Sequence, residues 1–465
     1  MRRNEVVAAF GTMLVIAGVI AAVAPISSAE NKESVLHTFT YHADGGFPFA
    51  GLTFDAKGNL YGVSYLAGDG NEGVCCGVVF QLTPNKTGWK FKVIYTFTGG
   101  VTDGEAPSGS VVFDSSGNLY GTTQQGDSIT GCGGVYELSP TPKGEWKETI
   151  LYAFNPVPIL GGVDGDGCIP SSFLVFDPAG NLYGTTQQGG GISNGQENCD
   201  NWGCGSAFKL SPQPDGNWTE SVIHSFGGSG DGLNPYGGLV LDSTGNLWGT
   251  TTYGGSGEGT VFELTPWEGG AWNENVAFDF TGNSTGYVPY AGLIIDSADN
   301  LYGTTYFGGS NGAGVVFKMT PRAGGQLTES LIHQFAGCTA TECPDGFSPF
   351  GGLVFDAVGN LYGTTELGGG ASVSCNQGVS GNFRVGCGVV FKLTPSPKGT
   401  WEYSIVYRFP GSADGGYPTD DHLAVDLNGN IFGTTLVEGD VNNNSICPLG
   451  VNLTPGCGVV FEVTP

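Results

Sequence analysis

The stretch GLVFDAVGNLYGTT at 352–365 decides how this chain folds. Apolar residues alternate up to Asp356, Gly359-Asn360 supplies a turn, and LYGTT resumes at once with strand composition. The two halves read as a β-hairpin. The same segment stands at 51–62 (GLTFDAKGNLYG), 110–121 (SVVFDSSGNLYG), 173–184 (FLVFDPAGNLYG), 238–249 (GLVLDSTGNLWG), 292–303 (GLIIDSADNLYG) and 423–433 (LAVDLNGNIFG). Its turn asparagines are Asn59, Asn118, Asn181, Asn246, Asn300, Asn360 and Asn430, spaced 54–70 residues apart. A repeat of that length marks a solenoid, propeller or array, so residues 30–465 read as one repeat domain.

Outward from the hairpin, each unit adds a Gly-rich loop, a third strand such as VVFKLTP at 389–395, and a fourth such as ESVIHSF at 220–226. The proline ends the pairing of the third strand. No window carries a helical period over ten residues. Four antiparallel strands in each of seven units, without helices, predict an all-β, seven-bladed β-propeller. The chain ends after a third-strand signal, VVFEV, and VLHTF at 35–39 is a fourth-strand signal without partners of its own. Residues 35–39 are therefore expected to complete the C-terminal blade and close the ring, which removes two exposed sheet edges.

Composition narrows function and compartment. With 16 Lys+Arg against 43 Asp+Glu, the formal charge is −27, and such a surface repels phosphate backbones, so no nucleic-acid partner is expected. Glycine reaches 83 of 465 residues without a three-residue period, which excludes collagen. Arg2 and Arg3, an apolar run over 6–26 and Ser27-Ser28-Ala29 have the order of a secretory signal peptide, residues 1–29, with an uncleaved anchor as the alternative. After cleavage no span of the membrane remains, and the domain is expected to be an exported monomer. Twelve cysteines, all beyond residue 74, fit disulfides in an oxidising compartment.

The pattern GLVFDxxGNLYGTTxxGG followed by GVVFKLTP resembles the bacterial GloVer tandem-repeat, or choice-of-anchor, proteins over nearly all of residues 35–465. That resemblance implies an exported or surface-displayed protein and carries over no catalytic residue. Proteins of that kind often end in a sorting tail; this chain ends inside a blade, which makes release or an N-terminal tether the expectation.

Chemistry-bearing residues fall into a few sets. The repeated Asp of the hairpin (Asp55, Asp114, Asp177, Asp242, Asp296, Asp356, Asp426) reads as the acceptor of its own turn. A second motif, D-G-x-x-P, supplies Asp44, Asp103, Asp166, Asp231, Asp345 and Asp414, with Thr285 in the fifth unit. Those acids are expected around one channel mouth, either as Ca2+ ligands or as turn acceptors; no other cofactor is required. His37, His224 and His333 share a position with Tyr95, Tyr152 and Tyr407, an interchange that indicates packing. Asp420, Asp421 and His422 replace small residues in the seventh unit, either as a carboxylate–imidazole cluster for general acid/base work or as drift in a closing blade.

Cysteines fall in two loop types that emerge on one face. The expected pairs are Cys199–Cys204, Cys338–Cys343, Cys375–Cys387, Cys447–Cys457 and Cys132–Cys168, with Cys75 and Cys76 either bonded to each other or reduced. Trp89, Trp146, Trp218, Trp272 and Trp401 recur after one turn and read as packing between blades. On the looped face, Trp202 lies outside the repeat, and Gln124, Gln187, Tyr253 and Tyr306 are read as following the GTT strand. Rings beside amides suit sugars, which offer an apolar face and hydroxyls. The favoured reading is a secreted, non-enzymatic propeller whose disulfide-braced loop face binds a polysaccharide, cell-envelope component or protein. A carbohydrate-active hydrolase or lyase and a structural or adhesion component of the cell surface are the alternatives.

Overall fold

The computed structural model describes residues 31–68, 75–127, 131–155, 165–190, 203–228, 230–282, 284–322, 325–338, 343–370, 386–418, 422–437, 439 and 456–465. They form seven four-stranded antiparallel blades in a ring, a seven-bladed β-propeller, with no α-helix among the described residues and two short 3-10 turns at Glu268–Gly270 and Ser412–Asp414. In the sixth blade the strands run Val354–Phe355, Leu361–Thr365, Val389–Pro395 and Trp401–Arg408, hydrogen-bonded in that order from the channel outwards. Residues 1–29, expected from the sequence to be a signal peptide, lie outside the described residues.

The repeated aspartate works at its own turn. Asp356 Oδ1 accepts from Val358 N (3.0 Å) and Asn360 N (2.9 Å), while Oδ2 accepts from Asn360 Nδ2 (2.6 Å) and Tyr362 Oη (3.3 Å). Trp248 Nε1 replaces the tyrosine donor at Asp242 (3.1 Å), and the seventh blade, with Phe432, lacks it. Burial alone raises such carboxyls. Hydrogen bonds, the Asn side chain's first, more than offset it and hold Asp55, Asp177, Asp296 and Asp356 below the ordinary value. So D-x-x-G-N-L-Y is one hydrogen-bonded device, from acid to turn to second strand.

Packing is carried by two aromatic contacts per blade. The glycine of LYG faces a third-strand ring across the ladder, as Gly62 faces Phe80 and Gly363 faces Phe391. A Cβ at Gly62 would meet the Phe80 ring at 2.6 Å, so only glycine admits the ring there. Each of these rings then meets a fully buried Phe from the outer strand region of the preceding blade. The contacts are Phe97–Tyr136, Phe154–Phe208, Phe226–Phe262, Phe280–Phe317, Phe335–Phe391 and Phe409–Phe461, at 5.0–5.5 Å between centroids. Phe39 makes the same contact with Phe80 at 5.4 Å, joining the seventh blade to the first. Each buried ring is worth about 1.5–3 kcal/mol in removal from water.

The N-terminal strand, Lys32–Thr38, pairs antiparallel with Val459–Thr464 and is the outer strand of the seventh blade. The recurrent tryptophans pack against the neighbouring blade, as Trp146 against Tyr61 (6.1 Å) and Trp401 against Tyr302 (6.1 Å).

Substituting one turn acid tests the device. Asp177→Ala removes an acceptor for Ala179 N, Asn181 N, Asn181 Nδ2 and Tyr183 Oη. It is expected to cost about 1–2 kcal/mol at neutral pH, read by chemical denaturation. Because the folded-state carboxyl titrates low, the gap from wild type narrows as pH falls through the carboxylate range.

Candidate functional site

Every outer strand carries a β-bulge against its third strand, at Val35/His37, Ile150/Tyr152, Ala207/Phe208 and the four equivalent places. A bulge re-aims the side chain that follows it. Here it turns His37, Tyr95, Tyr152, His224, His333 and Tyr407 towards the D-G-x-x-P acids. His37 Nε2 lies 3.1 Å from Asp44, and His224 Nε2 lies 3.1 Å from Asp231. His333 Nε2 lies 3.4 Å from Asp345, Tyr407 Oη donates to Asp414 at 2.8 Å, Tyr95 Oη to Asp103 at 3.3 Å, and Tyr152 Oη to Asp166. The same acids accept backbone N–H groups of the loop, such as Thr98 N at 2.7 Å and Asn155 N at 2.7 Å. These six carboxylates therefore sit at the ends of outer strands, between blades, rather than around the channel mouth.

The fifth loop explains its missing acid. Phe278 stands where the other blades have His or Tyr, and Thr285 Oγ1 replaces the carboxylate as acceptor for Thr281 N (2.9 Å). Donor and acid disappear together. Sequence reasoning noticed the missing acid but not Phe278, whose place at the His/Tyr position was the signal available.

A glutamate of the next outer strand completes five junctions: Glu33, Glu148, Glu220, Glu274 and Glu329, each with a buried Oε1 that has no hydrogen-bond partner. Tyr95 Oη bridges one pair, reaching Asp103 (3.3 Å) and Glu148 (3.0 Å). Burial first, then the charges of Asp103 and Asp127, push the Glu148 carboxyl up to about 8 despite the Tyr95 hydrogen bond. The other two junctions carry aromatic rings: Phe91 stacks on His37 at 3.5 Å and Tyr403 on His333 at 4.0 Å.

Disulfides brace the looped face. Cys132 bonds Cys168, which ties a loop of the second blade to the loop entering the third, and Cys338 bonds Cys343. Cys75 and Cys76 bond each other. Cys204, Cys387 and Cys457 are disulfide-bonded, and their expected partners Cys199, Cys375 and Cys447 lie outside the described residues.

The channel narrows where each inner strand begins, at Gly51, Ser110, Phe173, Gly238, Gly292, Gly352 and His422. Two of these residues are large. The Phe173 ring lies so close to Gly238 and Gly292 that a Cβ at either would touch it at 2.7–2.8 Å, and its edge meets His422 at 5.7 Å. Together they fill the waist above an apolar cavity of about 520 Å3. Enclosure pushes the His422 imidazole down to about 4, so it is neutral at pH 7. Asp420 and Asp421 lie outside the described residues, and among the described ones no carboxylate bonds to His422.

On the looped side of the waist, two residues earlier in the inner segments, stand Phe49, Tyr236, Tyr290 and Phe350. Tyr290 stacks on Phe350 at 4.9 Å, and Tyr236 meets both, at 5.6 Å and 5.9 Å. Tyr306 joins at 5.4 Å from Tyr290 and donates its hydroxyl to Glu366 at 2.7 Å. Burial and Tyr253 push the Tyr290 hydroxyl up to about 12, which places Tyr253 beside this group. Tyr253 does not share the position of Gln124, Gln187 and Tyr306, as the sequence reading has it. Thr252 does, because the strand Leu247–Thr251 ends one residue earlier than that reading requires, and Tyr253 pairs with Leu233. Gln124 accepts from Tyr65 Oη (3.1 Å), and Gln187 donates to Ser171 Oγ (2.6 Å). Trp202 lies outside the described residues. Phe49, Tyr236, Tyr290 and Phe350 escaped the sequence reading, although their place directly after a repeated proline marks them.

The sequence profile of the Gloeobacter/Verrucomicrobia repeat matches residues 16–197 and 196–447. The chain belongs to this family. No curated protein matches it. Among solved structures, this repeat protein is similar to a gluconolactonase of Xanthomonas campestris, with 14% identity and a TM-score of 0.39 over 72% of this chain and 86% of that one. It is also similar to PorZ, a surface component of the type-IX secretion system of Porphyromonas gingivalis, with 12% identity and a TM-score of 0.42 over 82% of this chain and 49% of that one. No helix among the described residues is long and apolar enough to cross a membrane.

The junction carboxyls give the repeat protein a pH signature. An unfolded glutamate loses its proton near the ordinary value of 4.5, whereas folded Glu148 keeps it to about 8. Between those values the folded state binds the extra proton, so this residue's contribution to stability is present in acid and lost as pH rises. Glu148→Gln is expected to flatten that loss, melting closer to its pH 5 value at pH 9 than wild type does in thermal scans.

Proposed function

We propose that this protein is an exported, non-enzymatic propeller that binds a polysaccharide of its surroundings or of the cell envelope on the looped face. The observation that carries this reading is the aromatic arc of Tyr236, Tyr290, Tyr306 and Phe350 at the channel mouth. Its members are half-buried rather than sealed in the core, and the position after the repeated proline is Ser108 or Ser171 in other blades. The fold therefore does not need rings there. Aromatic faces next to Glu366 and, further round, Gln124 and Gln187 match the alternation of apolar faces and hydroxyls on a sugar chain.

Export is supported by the leader-like N-terminal sequence and by the disulfides, which persist in oxidising compartments. The plugged waist supports a ligand that rests on the mouth instead of threading the channel. Rigid loops tied by Cys132–Cys168 and Cys338–Cys343 lower the ordering cost of binding.

A glycan array probed with the purified protein tests this reading. Wild type is expected to retain a defined set of polysaccharide fragments. The double variant Tyr290→Ala/Phe350→Ala is expected to bind them about tenfold more weakly or worse, a loss of ~1.4 kcal/mol, with an unchanged circular dichroism spectrum. Silence of wild type on the array, or equal binding by the variant, would refute it.

A further inference from the structure

Three of the seven junctions bring a histidine to an aspartate, and only one adds a glutamate. His224 Nε2 lies 3.1 Å from Asp231 Oδ2, and one ligand atom from each of His224, Asp231 and Glu274 falls within 4.8 Å of the others. Two blades contribute. His224 is in the outer strand Trp218–Ser225 of the third blade, and Glu274 is in the outer strand Trp272–Asp279 of the fourth, with Asp231 on the loop between. Asp231 is itself fixed by Gly227 N at 3.1 Å and Gly232 N at 2.6 Å, so one ligand is oriented before any ion arrives. Glu274 Oε1 is buried without a hydrogen-bond partner, so the third ligand has an unused lone pair out of reach of water.

The repeat supplies internal controls. In the Tyr95–Asp103–Glu148 junction a hydroxyl stands where His224 stands, 3.3 Å from Asp103 and 3.0 Å from Glu148. In the His37–Asp44 and His333–Asp345 junctions the glutamate position holds Phe91 and Tyr403, stacked on the imidazole. Those two offer one nitrogen and one carboxylate, too few for a site. A neutral phenol hydroxyl is a poor ligand for a first-row divalent cation, whereas an imidazole is a good one. What an imidazole and two carboxylates do together is ligate. Their mixed nitrogen and oxygen set suits borderline first-row cations, whereas Ca2+ and Mg2+ prefer oxygen alone. Metal–ligand bonds of about 2.0–2.2 Å put neighbouring ligand atoms roughly 3–3.5 Å apart. The 3.1 Å His224–Asp231 separation already meets that, and Glu274 needs only a side-chain adjustment.

We propose that His224, Asp231 and Glu274 form a binding site for a first-row divalent cation, Zn2+ or a close analogue, that clamps the third blade to the fourth. Three protein ligands leave a fourth position for water or for a donor group of a bound partner. Cys75, Cys76 and Glu105 are the other such cluster among the described residues, and the bond between its two cysteines removes their thiolates.

The test is isothermal titration of the EDTA-stripped, dialysed protein with ZnCl2, beside His224→Tyr, Glu274→Gln and His37→Tyr, with melting temperatures read with and without the metal. His224→Tyr installs the residue of other junctions, so its melting temperature in EDTA should stay close to that of wild type. Wild type and His37→Tyr are expected to bind one equivalent and melt higher with Zn2+. The two site variants should lose about tenfold or more in affinity together with that upward shift. Absence of stoichiometric binding by wild type, or binding undiminished in both site variants, would overturn the proposal.

Discussion

The contact on which the ring depends is a bare glycine under an aromatic ring, repeated blade by blade. Gly62 beneath Phe80 and Gly303 beneath Phe317 let the ring lie flat on the second strand, and a Cβ there would occupy its space. Lowering the ring opens room above it for the buried Phe of the preceding blade. One absent methyl thus fixes both the interior of a blade and its distance from its neighbour. A four-stranded sheet has two apolar faces and cannot cover them alone. The aromatic step from Phe39 to Phe80, and onwards to Phe409 and Phe461, covers them all round.

The polar junctions obey the same logic at the surface of each blade. The bulge in every outer strand turns one residue outwards and its neighbour, two along, into the core. The outward residue must then be satisfied. A hydrogen bond from His or Tyr to Asp does this at five junctions, His333 lies 3.4 Å from Asp345 without one, and Phe278 with Thr285 dispenses with both groups at the seventh. Glutamates from the adjacent strand crowd carboxyls together, and burial leaves Glu33, Glu148, Glu220, Glu274 and Glu329 with raised affinity for protons. Such raised carboxyls ease the charge repulsion at the joints of an acidic protein.

Much of the architecture was legible because it rests on local devices repeated seven times. The turn acid with its Gly-Asn partner, the strand alternation and the blade count all lie within short windows, and the unpaired strand signal at 35–39 pointed to the C-terminal blade. What escaped depended on contacts between units. The D-G-x-x-P acids were placed at the channel mouth, although the bulged strand of the previous blade draws each of them outwards. Tyr253 was misaligned by one residue, since the strand Leu247–Thr251 ends before a third threonine, Thr252, that takes the position of Gln124, Gln187 and Tyr306. His422 stood out as polar among small residues, but Phe173, which meets it across the waist, read as one more strand hydrophobe. The aromatic arc likewise emerges only when blades four to six are brought together.

The account makes the seven blades one interlocked unit in which a strand from the beginning of the domain is as firmly held as any other. Native-state hydrogen–deuterium exchange followed by mass spectrometry tests this most directly. Peptides covering Lys32–Thr38 and Val459–Thr464 are predicted to be protected as strongly as the Val389–Pro395 and Trp401–Arg408 peptides of the sixth blade. Rapid exchange of Lys32–Thr38 while the sixth blade stays protected would contradict the account, because the ring would then be open at its seam.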